Sequence, residues 1–329
     1  MNQGNPDGMR SRGYDAAWWQ AATRVASVSL SGLTIACPAC HHEGVLFSKW
    51  QRGSGEKPLF VIHRNGGTSS EVCPVAAEDT LRARSQVRIS AGDVRRAFRL
   101  GKPVVLFSGG RDSLCTLEYL RVLYRGQSDG LTALHINTTA GFPEVEEYVE
   151  RVCEILGVRL VTVRPDRDFF DTAKRWGIPG VRSRWCCKTL KVMPATKYLR
   201  QLDGPVVVYD GIRAAESPVR AKYTPIWYHP SFRCLSISPI FSWTDAKVDD
   251  YIRLRGLPQS PVRDLGCSAE CWCGAYKKRS DFEKLLQVHP EIFDRLVDVE
   301  KAQKGRYTFL YENGERVPLK SLRPTPARR

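Results

Sequence analysis

Between residues 103 and 212, short apolar runs alternate with longer stretches whose apolar residues recur every three or four positions. Residues 103–107 (PVVLF) read as a short buried strand. The helix predicted next (LCTLEYLRVLYR) carries Leu114, Leu117, Leu120 and Leu123–Tyr124 on one stripe. LTALHIN at 131–137 and VEEYVERVCEILG at 145–157 repeat the pair, with Gly157 stopping the helix. VRLVTVRP is a third strand, a basic helical stretch follows, and PVVVYDGI at 205–212 is a fourth strand. This rhythm predicts an α/β fold with a mostly parallel sheet and helices on both faces. Upstream, ISAGDVRRAFRL predicts a helix capped by Ser90.

The flanks read differently. The stretch YDAAWWQAATRVASVSL is a short helix or a docking arm, followed by CPACHHEG, basic hairpin-like sequence and TSSEVCPVAAEDTLRAR. From Pro258 the chain turns helical, basic and cysteine-bearing, and SLRPTPARR reads as a tail. Three regions are expected: an N-terminal basic module at 1–90, a nucleotide-binding core at 91–260 and a helical C-terminal segment with a basic tail at 261–329.

The chain has 329 residues, of which 42% are apolar, and this excludes a mainly disordered or fibrous protein. No run of 18 apolar residues exists, so no membrane span is expected. The first residues carry no apolar h-region, which predicts no signal peptide and a cytoplasmic location. Fifty Lys+Arg against 35 Asp+Glu give a net charge of +15, which favours polyanionic partners. Between Arg164 and Arg200 ten Lys/Arg face three Asp, with Trp176 and Trp185 interleaved. Rings between cations suit nucleic acid, and a solvated helix face is the plainer alternative. The eleven cysteines are odd in number and unevenly clustered, which points to metal ligands and core thiols rather than a disulfide framework.

Ser108-Gly109-Gly110-Arg111-Asp112-Ser113 lies between the first core strand and its helix. Small residues there let backbone N–H groups approach an anion at a helix N-terminus, and Ser108 and Ser113 add hydroxyl donors. Asp112 suits a magnesium ion or a helix cap. The loop is not G-x-x-x-x-G-K-[ST] and lacks G-x-G-x-x-G; a simple tight turn is the alternative.

This loop resembles the S-G-G-x-D-S pyrophosphate loop of the adenine nucleotide alpha-hydrolase superfamily, the N-type ATP pyrophosphatases. Over about residues 100 to 285 the chain resembles one branch, the phosphoadenosine phosphosulfate reductase family. Thr139-Ala140-Gly141-Phe142-Pro143-Glu144 is similar to its T-G-x-x-F-P-E, and Cys186 to Pro194 is similar to its C-C-x-x-x-K-x-x-P. Gly211 to Arg220 reads G-I-R-x-x-E-S-x-x-R, and Pro239 to Ile252 reads P-x-x-x-W-T-x-x-x-V-x-x-Y-I. The resemblance implies an adenine nucleotide across the strand ends. It would be held by Ser108, Gly109, Gly110, Arg111, Asp112, Ser113, Gly211, Arg213 and Glu216, with ATP and Mg²⁺ as expected ligands. Asp112, Ser113, Arg213 and Arg220 are the expected catalytic set. The two arginines offer forks for phosphate or sulfate, and Glu216 orients one of them. His135, at a strand end, is left out of the chemistry.

Reductases of the family that use adenosine phosphosulfate hold a [4Fe–4S] cluster with a Cys-Cys pair and a later C-x-x-C. This chain has Cys186-Cys187 and then Cys267-x3-Cys271-x-Cys273. The cluster is assigned to Cys187, Cys267, Cys271 and Cys273, with Cys186 spare or exchanging roles; structural zinc on the same ligands is the alternative. Those reductases also carry a nucleophilic thiol on a C-terminal tail, whereas no cysteine follows Cys273 here. The resemblance therefore turns toward the cluster-bearing sulfur-insertion enzymes of the superfamily. The expected function is an ATP-dependent, pyrophosphate-releasing sulfurtransferase, with DNA backbone phosphorothioation preferred and a cysteine desulfurase as sulfur donor. An adenosine phosphosulfate or phosphoadenosine phosphosulfate reductase, an iron–sulfur tRNA thiolase acting on RNA, and a non-enzymatic nucleic-acid-binding module are the alternatives.

Cys37-Pro38-Ala39-Cys40 resembles one knuckle of a zinc ribbon, and Cys73 supplies a third ligand. His41, His42 or His63 would complete a Cys3His zinc site, and His63 is taken as the fourth ligand. A chance grouping of three cysteines is the alternative.

Overall fold

The computed structural model describes residues 16–49, 59–64, 70–124, 130–180, 183–263, 271–275 and 277–323. Helix α1 (Ala16–Ser27) buries Trp18, Ala21, Ala22 and Val25, spaced as one helical stripe. The Trp18 ring meets Phe47 and Phe60 edge-on at 5.9 and 5.6 Å. The aromatic N-terminal stretch is thus a helix lying on a sheet rather than a docking arm.

Four strands follow: β1 (Thr34–Ala36), β2 (Glu43–Lys49), β3 (Leu59–Arg64) and β4 (Ser70–Pro74), paired antiparallel as β1-β2-β3-β4. After α2 (Thr80–Ser85) comes α3 (Ala91–Ala97). Ser90 caps α3 as the sequence predicts, in a reciprocal box in which Asp93 N–H donates to the Ser90 hydroxyl and Ser90 N–H donates to the Asp93 carboxylate.

The core alternates as read: β5 (Lys102–Leu106), α4 (Arg111–Leu123), β6 (Thr132–Ile136), α5 (Pro143–Leu156), β7 (Arg159–Val163), α6 (Phe169–Trp176). A π-helical turn at Cys187–Val192 leads into α7 (Met193–Leu199) and β8 (Val206–Tyr209). Then come the hairpin β9 (Ile226–His229) and β10 (Cys234–Ile237), and helix α8 (Asp245–Leu254). Helices α9 (Arg279–Val288) and α10 (Pro290–Ala302) and the hairpin β11 (Leu310–Glu312)–β12 (Glu315–Val317) end the described chain. None of these helices is long and apolar enough to cross a membrane.

One sheet runs β4-β3-β2-β9-β10-β8-β5-β6-β7, with β1 on β2. Strands β10, β8, β5, β6 and β7 are mutually parallel, and every residue of β6 and β8 is buried, as expected of strands covered on both faces. The sheet is nevertheless mixed rather than mostly parallel. The N-terminal strands pair antiparallel, and β9–β10 is a tight hairpin. Through the β2–β9 pairing the N-terminal strands continue the core sheet. The Ser48 and Thr224 hydroxyls, 2.6 Å apart and buried, tie that seam.

Helices α4 and α8 are clamped by a charge. Glu118, only 2% exposed, accepts from Arg121 at 2.5 and 3.0 Å and from Arg255 at 3.1 Å. Burial pushes the Glu118 carboxyl up, but the two guanidinium groups outweigh it, so its pKa lies below the ordinary 4.5. Its contribution is full above pH 4.5 and is lost as pH falls through the lower folded value. Glu118→Gln is expected to cost about 2 kcal/mol, below the usual range for a buried pair because both arginines are partly solvated. Urea unfolding across pH 3–7 checks this: the gap between native protein and variant should close as pH falls below 4.5.

Candidate active site and an N-terminal metal centre

Chain order reverses between β5 and β8: β6 and β7 lie to one side of β5, β8 and β10 to the other. Open parallel sheets bind ligands at the strand carboxyl ends at such a switch point. The loop Ser108–Ser113 leaves β5 there and Asp210-Gly211 leaves β8. Between them opens a cleft of about 810 Å³.

The loop is built by its own hydroxyls. Ser113 Oγ donates to the Gly110 carbonyl at 2.8 Å and accepts from Ser108 N–H at 3.2 Å, with the two serine hydroxyls 3.0 Å apart. Gly110 N–H reaches Ser108 Oγ at 3.3 Å. Gly109 adopts φ +76°, and a Cβ there would press on Val145 and Val149 of α5 at 3.1 and 3.2 Å. The turn thereby aims the first amides of α4 into the cleft, where the helix dipole favours an anion. Ser108, Gly110, Arg111, Asp112 and Ser113 line it, while Gly109 lies behind them.

Arg213 does not offer its fork to the cleft, as the sequence suggested. It is 1% exposed, and its guanidinium is taken by Asp112 at 3.1 Å, Asp245 at 2.8 Å and the Trp243 carbonyl at 3.1 Å. It braces the loop from beneath, and Asp245 and Asp249 also bind Arg111. Burial pushes the Asp112 carboxyl above its ordinary value while Arg213 pulls it back. Glu216 accepts from Arg213 N–H at 2.8 Å and pairs with Arg220, which lines the cleft with it. Gly211 also lines the cleft, and a Cβ there would sit 2.9 Å from the Asp112 carbonyl carbon and 3.0 Å from Ser113 N. Gly211→Ala must push the two loops apart. It is expected to cost about 2 kcal/mol by overpacking and to weaken nucleotide binding, read by urea unfolding and by titration with AMP.

Several cleft residues were not read from sequence. Asp210 accepts from Ser238 at 2.6 Å, Ser236 at 2.7 Å and Ile212 N–H at 3.1 Å. Burial outweighs those bonds and raises its pKa. Its place directly before the Gly211-Ile212-Arg213 motif was the available signal. Trp227, His229 and Phe232 form the opposite wall; they belong to the β9–β10 hairpin, whose short apolar runs IWYH and CLSI flank a turn. His135 Nδ1 is 2.9 Å from the Phe107 carbonyl and the residue is buried, in keeping with its exclusion from the chemistry.

Cysteines gather at the rim of the same cleft. The Cys186 thiol hydrogen-bonds with Cys187 and Cys273, and Cys271 with Cys273. Cys271 lines the cleft and Cys187 is exposed. Cys186 holds Cys187 below an ordinary thiol, with Lys191 and Arg184 helping, and Cys186 and Cys271 together hold Cys273 down. Cys267 lies outside the described residues. The segment is docked by the Thr139–Glu144 motif: Trp272 N–H donates to the Ala140 carbonyl at 2.5 Å, and the Trp272 and Phe142 rings meet edge-on at 5.8 Å. Thr139 holds φ +62°, unusual for a β-branched residue, with its hydroxyl accepting from Phe169 N–H at 2.7 Å. Cys187, Cys271 and Cys273, with Cys186, are the described thiols from which a cluster would take its ligands. The remaining Cys115, Cys153 and Cys234 are buried core thiols, each pushed up to about 12 by burial.

The N-terminal centre brings together four of its predicted residues. Ligand atoms of Cys37, Cys40, His63 and Cys73 all lie within 4.8 Å of one another, a set able to coordinate a metal. Cys40 Sγ is 3.3 Å from His63 Nε2 and 3.8 Å from Cys73 Sγ. His63 Nδ1, 3.1 Å from the Glu43 carbonyl, donates there and leaves Nε2 its lone pair. Strand pairing of Val61 with Cys73 sets β3 and β4 in register for this, and the Cys37–Cys40 turn closes with His41 at φ +63°.

A sequence profile of the phosphoadenosine phosphosulfate reductase domain matches residues 102–296. An uncharacterized protein of Methanocaldococcus jannaschii is 26% identical over 217 residues, 64% of this chain and 44% of its own length. An adenosine 5′-phosphosulfate reductase of Mycolicibacterium smegmatis is 30% identical over 150 residues, 42% of this chain and 61% of that one. This chain thus spans less than half the length of the first of these relatives. Among solved structures, a phosphoadenylyl-sulfate reductase from Candida auris is similar at 22% identity and a TM-score of 0.44, covering 60% of this chain and 96% of that one.

Proposed function

Because the chain belongs to the phosphoadenosine phosphosulfate reductase domain family, we propose that it is a sulfonucleotide reductase, taking an adenylyl sulfate into the cleft and releasing sulfite and AMP. The observation that carries this reading is Cys271 on the wall of the cleft that the Ser108–Ser113 loop also lines. The reductase relatives support it further. The loop amides and the Ser108 and Ser113 hydroxyls bind the nucleotide phosphate. Arg220, oriented by Glu216, meets the charge of the sulfate end. Arg213 and Asp112 keep the loop in shape. In the reaction the sulfur–oxygen bond to AMP breaks, and an external dithiol supplies two electrons and becomes a disulfide. Cys187, Cys271 and Cys273, with Cys186 beside them, would hold a [4Fe–4S] cluster, which when bound supplies redox-active iron beside the sulfur. The N-terminal Cys3His set fits a structural zinc, whose tetrahedral preference such a set satisfies.

A second reading, ATP-dependent sulfur transfer to nucleic acid with a cysteine desulfurase as donor, is favoured by one feature: the complete S-G-G-x-D-S loop, with Asp112 at the rim for a Mg²⁺-bound triphosphate. One experiment separates the two. Protein incubated anaerobically with adenosine 5′-phosphosulfate and dithiothreitol is expected to release sulfite and AMP in equal amounts. Pyrophosphate from ATP with no sulfite from the sulfonucleotide would reverse the order.

A further inference from the structure

We propose that a single strand of nucleic acid docks along a strip running from Trp176 through Trp185 to the cleft rim at Lys191. Trp176 is 51% exposed, yet its ring is fixed. Trp185 meets it edge-on at 5.5 Å, Arg167 lies 5.1 Å from its centroid, and Trp185 is itself stacked on Phe169 at 5.9 Å and 15°. The Trp185 indole N–H donates to the Gly177 carbonyl at 3.1 Å. A large ring half in water with a guanidinium lying over it is the pairing of aromatic and cation on which single-strand surfaces stack bases and hold phosphates.

The charge around it fits a phosphate backbone. Lys174, Arg175, Arg184, Lys188 and Lys191 are all exposed. Of the nearby carboxylates, Asp171 lies 3.9 Å from Lys174 and Asp168 is paired with Arg295, so the cations dominate. The strip also leads to chemistry. Trp185 adjoins Cys186 in the chain, and Lys191 lines the cleft with Cys271. A strand stacked on Trp176 with its backbone on these cations would pass the thiols at the cleft rim. The proposal does not rest on the reductase reading; it concerns what the surface binds, whichever sulfur reaction the cleft performs.

The test is fluorescence anisotropy of the full chain with labelled single-stranded DNA, single-stranded RNA and duplex DNA, and with heparin as a polyanion without bases. The single strands should bind more tightly than duplex, and the tighter of the two identifies the source. Trp176→Ala should weaken the single strand about tenfold, Trp176→Phe should restore most of it, and heparin binding should be unchanged by either. Lys188→Glu should flatten the dependence of affinity on salt. Nucleotide turnover in the cleft, unchanged in Trp176→Ala, shows that the variant is folded. Equal binding by native protein and Trp176→Ala, equal losses for heparin and oligonucleotide, or no binding of either strand would each overturn the proposal.

Discussion

Cys73→Ser is expected to strip the N-terminal metal and lower the unfolding free energy by more than about 3 kcal/mol, since metal binding at such a site is folding free energy. Cys73 is one of four residues able to coordinate a metal together, on three separate segments: the Cys37–Cys40 turn, β3 and β4. Without the ion, three sulfurs and an imidazole crowd within 4.8 Å with no charge to hold them. The damage should travel, because β2 pairs with β9 at Ser48–Trp227 and Trp227 lines the cleft. Metal analysis should give about one zinc per chain in the native protein and none in the variant, with nucleotide affinity reduced alongside. His41→Asn is the control: His41 is exposed, lies outside the four-residue set and holds φ +63°, a conformation asparagine tolerates, so the metal should stay. Loss of zinc in His41→Asn with retention in His63→Ala would reassign the fourth ligand.

Arg213→Met should be nearly as severe. The Arg213 side chain is 2% exposed and pairs with two carboxylates and a carbonyl, so methionine, which lacks the guanidinium, leaves Asp112 with only Arg111, 3.6 Å away, as counter-charge. Breaking a buried pair this way costs about 3 kcal/mol. Asp112 is the second residue of α4, so its shift carries the loop amides with it, and nucleotide affinity should fall on the order of a hundredfold, as a small misplacement does. Arg213→Lys keeps the charge but cannot bridge Asp112, Asp245 and the Trp243 carbonyl together, and should fall between. Calorimetric titration with AMP and urea unfolding of both variants check this. A Met variant that binds AMP as the native protein does would remove Arg213 from the loop's support.

The parts of this fold that were legible in sequence are those whose signal is local. The period of α4 and α5, the buried runs of β5, β6 and β8, the Ser90 cap and the Ser108–Ser113 turn each depend on residues within a dozen positions. The antiparallel half of the sheet was not legible as part of the same sheet, because the β2–β9 seam joins residues 48 and 227 and rests on two register pairs and one hydroxyl contact. Arg213 was recognisable as a motif residue, but its orientation was set by Asp245 and Trp243, thirty residues away in sequence. The sequence grouped Cys186-Cys187 with Cys267, Cys271 and Cys273 by motif alone. That the Thr139–Glu144 motif holds those cysteines against the strand ends depends on a Trp272–Ala140 bond that no spacing announces.

The most direct measurement is a crystal structure of the protein with adenosine 5′-phosphosulfate, grown anaerobically. The phosphate should lie within hydrogen-bonding distance of Gly110 N–H and Ser113 Oγ, with the sulfate directed toward Arg220 and the Cys271 rim. A nucleotide seated away from the Ser108–Ser113 loop, or with its sulfate turned from the thiols, would contradict this placement.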